Sequence, residues 1–283
     1  MTALTFDISG TSTVPFSRLV RMEWRKMVDT RAGFWLLLIT GGLLALVFAV
    51  ILLVTALASD VRTTATDWLN ILTIPVAMLV PVLAITIVTQ EWSQRTAMVT
   101  FALEPNRLRI VMAKLVAVLA LGFATILLAF VLGMLGNVLG ASIGGYDVTW
   151  NVTGRTLAWA LVIQVLYLLM GFGFGLLLLS SPAAVAIYYV YVWILEGGVI
   201  LPGIMFGLWL AFGWAQAIFP WISMRLSILP FALDSGDVHS LHDSGVELHT
   251  GAPGAARIVT SVLLWVGIPL VVGTWRMLRT EVK

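Results

Sequence analysis

Residues 34–57 read FWLLLITGGLLALVFAVILLVTAL, an unbroken apolar run without a single charged side chain. As a helix it would be about 36 Å long, enough to cross a hydrocarbon core of about 30 Å. The run has no alternation of apolar and polar positions, so a barrel strand is excluded. A helix is the one form that satisfies its own backbone in lipid. Five further runs of similar character follow at 68–90, 113–139, 157–179, 182–201 and 257–275. The expected fold is therefore an all-α integral membrane protein of six transmembrane helices.

Composition agrees. Sixty per cent of the 283 residues are hydrophobic and 11% are charged, and the mean hydropathy is +1.02. That leaves too little polar surface to coat a soluble globule. The net charge of +2 does not suggest nucleic acid, because the basic residues crowd beside the spans, where membrane anchoring accounts for them. The chain has no cysteine, which excludes disulfides and thiolate chemistry. No cleavable signal peptide is expected, since the first apolar run continues past any h-region length.

Lysine and arginine set the orientation. Arg18, Arg21, Arg25, Lys26, Arg31, Arg95, Arg107, Arg109, Lys114, Arg276, Arg279 and Lys283 fall on one side of the six-span scheme, whereas Arg62, Arg155, Arg225 and Arg257 fall on the other. Positive charge is retained in the cytoplasm, so both termini are expected inside. The apolar stretch from Leu201 to Trp221 would break this pattern as a seventh span. It is expected instead to form re-entrant or interface-lying helices on the outer face, within a segment 202–256, with Trp209, Trp214 and Trp221 at headgroup level.

The expected domain plan is a cytoplasmic tail and interfacial helix over 1–33 and a membrane domain over 34–283. Within Val14 to Arg31, Phe16, Leu19, Val20, Trp24, Met27 and Val28 fall on one helical face and Arg18, Arg21, Arg25 and Asp29 on the other. This predicts an amphipathic helix on the inner membrane surface, serving as a lipid anchor or as a lever to a cytoplasmic partner. The other long cytoplasmic segment, 91–112, is far longer than the turn Ser180–Ser181–Pro182 and predicts a docking loop.

Here the residues resemble a family. Glu91 closes the second span, Arg95–Thr96 and the hydrophobic Val99 to Leu103 stretch, with Phe101 inside it, come next, and Pro105, Arg107 and Lys114 lead into the third. This order is similar to that of the ABC-2 type permeases, as is the layout of interfacial helix, coupling helix, six spans and outer-face helices. The resemblance implies the transmembrane subunit of a type V ATP-driven exporter. It further implies a dimer of permeases, a homodimer by expectation, and two copies of a separate ABC ATPase subunit carrying ATP and magnesium. The chain itself has no G-x-x-x-x-G-K-[ST] motif, and its lysines are Lys26, Lys114 and Lys283. No enzymatic role and no bound cofactor are expected of it. In this reading Glu91, Arg95, Thr96, Phe101, Pro105 and Arg107 couple to the ATPase, and Arg18, Arg21, Trp24 and Arg25 form the interfacial helix. Pro75 and Pro81 would supply flexure. Alanine, glycine, leucine and valine richness points to a bacterial cytoplasmic membrane.

Glu196 is the acidic residue set well inside a span, and it reads as part of a translocation path or as a hydrogen-bonding group between helices. Gln164 and Asn137 read as helix glue, and Gly171, Gly173 and Gly175 as close-packing glycines. His239, His242, His249, Asp237, Asp243 and Glu247 have metal-ligand chemistry, yet they read better as a solvated loop, and no metal site is expected. The main rivals to a permease are a proton- or ion-coupled carrier using Glu196 and a non-transporting sensor or immunity subunit. An intramembrane enzyme lacks a nucleophile and base at depth.

Overall fold

The computed structural model describes residues 14–58, 61–94, 106–192, 196, 212–232 and 251–280. Among them the elements are helices: α1 Phe16–Asp29, α2 Arg31–Leu57, α3 Ala65–Ser93, α4 Arg107–Gly144, α5 Gly154–Leu178, α6 Ser181–Val190, α7 Gly213–Ile222, α8 Met224–Ala232 and α9 Gly251–Arg279. Helix α9 is interrupted by a π-helical turn at Leu263–Gly267. Helices α2, α3, α4, α5 and α9 are each long and apolar enough to cross a membrane. This is a multi-pass membrane protein.

The helix ends follow local rules. Thr64 and Asp67 form a capping box at the start of α3. Asn106 and Thr153 cap α4 and α5 through their side chains, and Gly145 closes α4 in the left-handed conformation at φ 68°. Helix α4 outgrows the expected 113–139 at both ends. Its 38 residues make a rod about 57 Å long. Among the described residues of the expected span 182–201, regular α-helix runs to Val190, the end of α6. Two π-helical residues follow, and of the rest only Glu196 is described. Between 202 and 256 stand the short α7 and α8 and the first turns of α9; His239, His242, His249 and their acidic neighbours lie outside the described residues.

Helices α3 and α5 occupy the middle of the bundle, while α2 and α9 expose most of their apolar surface. The central pair can approach because α5 carries glycine where α3 crosses. A Cβ on Gly171 would lie 2.6 Å from the Pro81 carbonyl oxygen, and one on Gly173 would lie 3.0 Å from Pro269 of α9. Pro81 has no N–H for the Ala77 carbonyl, which would otherwise lose its helical partner. The Tyr188 hydroxyl of α6 donates to that carbonyl, and Tyr189 donates to the Met78 carbonyl at 3.1 Å. Gln164 of α5 donates to the Thr73 carbonyl at 3.0 Å. The carbonyl freed by Pro81 is thus satisfied by a neighbouring helix.

The bundle has two differently built ends. At one, Thr63 of the α2–α3 connection and Trp68 of the first turn of α3 meet Tyr146 beyond α4: Tyr146 Oη lies 2.7 Å from Thr63 Oγ1, and Trp68 Nε1 donates to that Thr63 oxygen at 3.0 Å. The Trp68 ring fills the notch left by Gly136, where a Cβ would stand 2.3 Å from it. At the other end α1, the last turn of α3, the first turns of α4 and the C-terminus of α9 converge. A single residue, Thr30, joins α1 to α2, and Gly33 permits the corner, since a Cβ there would sit 1.7 Å from the Met27 carbonyl oxygen.

Candidate functional site

Helix α1 presents Leu19, Glu23 and Met27 along one stripe, and all three are buried. Its apolar face packs against α4 and α2 within the protein. A glutamate four residues from each of two buried apolar residues needs compensation. It receives it from two lysines. Lys114, fully buried on α4, donates to Glu23 Oε2 at 2.8 Å, to Glu91 Oε1 at 3.0 Å and to the Ile87 carbonyl at 3.2 Å. Lys26 donates to Glu23 Oε1 at 2.7 Å and to Glu91 Oε1 at 2.8 Å.

Two carboxylates and two ammonium groups from three helices therefore form one network. All three protons of Lys114 are used, and the formal charges cancel. Burial alone would lower the pKa of Lys26, but Glu23 and Glu91 beside it outweigh that and hold it above its ordinary value of 10.5. The cluster lacks the nucleophile and base of a catalytic centre, and the described residues contain no group of His, Cys, Asp or Glu able to hold a metal. It ties α1 to the end of α3 and the start of α4.

Two arginines extend the junction. Arg109 donates to the Val14 carbonyl at 2.7 Å and so holds the chain just before α1. Arg107, two residues earlier on α4, donates to the carbonyls of Met277 at 3.1 Å and Thr280 at 2.8 Å, where α9 ends. The last turn of a helix leaves carbonyls free and favours cations. Arg276 answers the same need at the end of α5 by donating to the Leu177 carbonyl.

Of the residues singled out from sequence, Glu91 lies inside the network and Arg107 at its edge. Arg18, Arg21 and Arg25 are exposed and Trp24 is half-buried. Arg95, Thr96, Phe101 and Pro105 lie outside the described residues. Sequence reasoning passed over Glu23 and Lys26. Their signal was present: Glu23 interrupts an apolar stripe, and Lys26 and Lys114 are two of three lysines in the whole chain.

Glu196 stands in a separate setting. Its carboxylate accepts from Tyr167 Oη and Ser223 Oγ, each at 3.2 Å, from Tyr191 Oη, and from the backbone N–H of Met224 at 2.9 Å and of Arg225 at 3.1 Å. The Tyr191 hydroxyl itself accepts from Met224 N at 3.2 Å, so its proton is directed at Glu196. Each of these contacts offers the carboxylate a donor, two of them the first N–H groups of α8. Trp265 in the π-helical turn of α9 fixes the same corner by donating to the Ile222 carbonyl at 2.8 Å.

No known protein family, characterised protein or solved structure matches this chain. The functional reading is carried by its own residues.

Proposed function

We propose that this chain is the permease subunit of an ATP-driven exporter resembling the ABC-2 type, paired with a second copy of itself and energised by two copies of a separate ATPase. In this reading the protein resides in a bacterial cytoplasmic membrane with both termini inside. Helix α6 and the residues after it form the fifth of six crossings, and α7 and α8 form the re-entrant pair. The cargo is hydrophobic or amphipathic, as befits spans with almost no fixed charge.

The observation that carries the proposal is the Glu23–Lys26–Glu91–Lys114 network. A connection that merely reversed direction would not need both its flanking helices ionically fastened to an amphipathic helix. A connection that receives force does. An ATPase pushing on the segment after Glu91 would then move α1, the end of α3 and the start of α4 as one body, a rigid unit in a two-state transition. Glu196, held by five donors, would keep α8 seated between α5, α6 and α9.

The test is co-purification of tagged full-length protein from its native membrane in mild detergent, followed by ATPase assay. The proposal expects an ATPase subunit that is lost on Arg95→Glu. A preparation free of ATPase, combined with proton-gradient-driven uptake abolished by Glu196→Gln, would replace it with the secondary carrier.

A further inference from the structure

Helix α1 has a second face that the ionic network leaves unused. Arg18, Arg21 and Arg25 follow one another at helical spacings of three and four, directly opposite the buried Leu19–Glu23–Met27 stripe, and all three are exposed. None forms an ion pair or hydrogen bond with a described residue, although Arg107 and Arg109 nearby are engaged. Because the apolar stripe is buried against α4 and α2, α1 does not need to insert into lipid to be held in place.

The level of this face is marked independently. Arg31, Phe34 and Trp35 stand exposed on the first turn and a half of α2, and Trp275 and Arg279 stand exposed or half-exposed at the end of α9, with the Arg279 guanidinium 4.5 Å from the Trp275 ring centre. Exposed aromatic and basic residues at the ends of apolar helices sit at headgroup depth. These two groups lie at the same end of the bundle as α1, so the three arginines share the plane of lipid phosphates.

We infer that the Arg18–Arg21–Arg25 face is a binding surface for anionic phospholipid headgroups. Guanidinium forks bind phosphodiester oxygens in pairs and lose less ordering entropy than lysine in doing so. A headgroup with net negative charge satisfies them where zwitterionic phosphatidylcholine carries its own cation. The inference stands apart from the exporter reading, since it needs neither an ATPase nor transport.

Full-length protein in nonionic detergent would be titrated with short-chain phosphatidylglycerol, with phosphatidylcholine of the same chain length and with inorganic phosphate, reading the thermal unfolding midpoint. Stabilisation by phosphatidylglycerol above the other two is expected. Arg18→Gln/Arg21→Gln/Arg25→Gln should weaken that affinity on the order of a hundredfold, at about a fivefold loss per charge near a membrane surface. Should this variant not purify, raising salt to about 1 M, where screening acts within about 3 Å, should remove the phosphatidylglycerol preference in the unmodified protein. The inference fails if the variant keeps the full preference, if salt leaves it unchanged, or if free phosphate stabilises equally. It also fails if the variant loses a co-purifying protein while retaining phosphatidylglycerol, which would assign the face to that protein.

Discussion

Glu91 and Glu196 are both carboxylates withdrawn from water, and the protein compensates them by opposite means. Glu91 sits at an end of the bundle and is balanced by full charges, Lys26 and Lys114, drawn from two other helices. Glu196 has no lysine. It is held by hydroxyl dipoles and by the first N–H groups of α8, with the Arg225 charge nearby but not in a salt bridge. An ion network resists separation strongly because breaking it strands a buried charge. Dipoles hold a single carboxylate in one orientation and tolerate small shifts of each donor. The first arrangement resists separation of its three helices, and the second orients one carboxylate at the start of a short helix.

The sharpest break of this comparison is Lys114→Met. With both neighbours acidic and Lys114 fully buried, removal of the ammonium group should cost about 3–5 kcal/mol, read by SDS-induced unfolding in mixed micelles. A loss below 1 kcal/mol would mean the network is ornamental. Next comes Glu196→Gln, which turns an amide toward groups that all donate. A cost of about 2–3 kcal/mol is expected, with faster hydrogen exchange confined to α8 and not to α1. Exchange spreading to α1 would erase the distinction between the two sites.

Lys26 offers a pH probe. Its pKa is raised in the fold, so its contribution is fully present below the ordinary lysine value and is lost as pH rises through the folded one. Trp24 emission should accordingly stay constant through neutral pH and shift only above about pH 10.5. A transition between pH 6 and 8 would contradict the assigned network. The smallest effect expected is that of Tyr188→Phe, which removes the donor facing the carbonyl freed by Pro81. About 0.6 kcal/mol is typical of such contacts within a membrane bundle, checked by the same unfolding assay.

Much of the architecture was legible in the residues. Uniform apolar runs longer than 20 residues specify membrane-crossing helices whatever their neighbours, because lipid allows the backbone no other partner. The candidate site was legible only in halves. Glu91 and Lys114 could be picked out as charges at span ends, but their partnership with Glu23 spans 91 residues of sequence for Glu23 and Lys114. No periodicity encodes a contact of that kind. What covers the apolar face of α1 was not legible for a related reason: an amphipathic stripe states that a face will be buried, without stating whether lipid or protein will bury it.

By itself, then, the sequence determined that this protein lives in a membrane, which segments are helical and where charge is concentrated, since these follow from backbone hydrogen bonding and transfer of side chains out of water. Only the tertiary structure decided which buried charges neutralise one another, that a tyrosine on α6 donates to the Ala77 carbonyl left without a helical partner by Pro81, and that the buried stripe of α1 packs on α4 and α2. Each of those depends on approach between helices, which is set by glycine notches and side-chain shape at contacts remote in the chain.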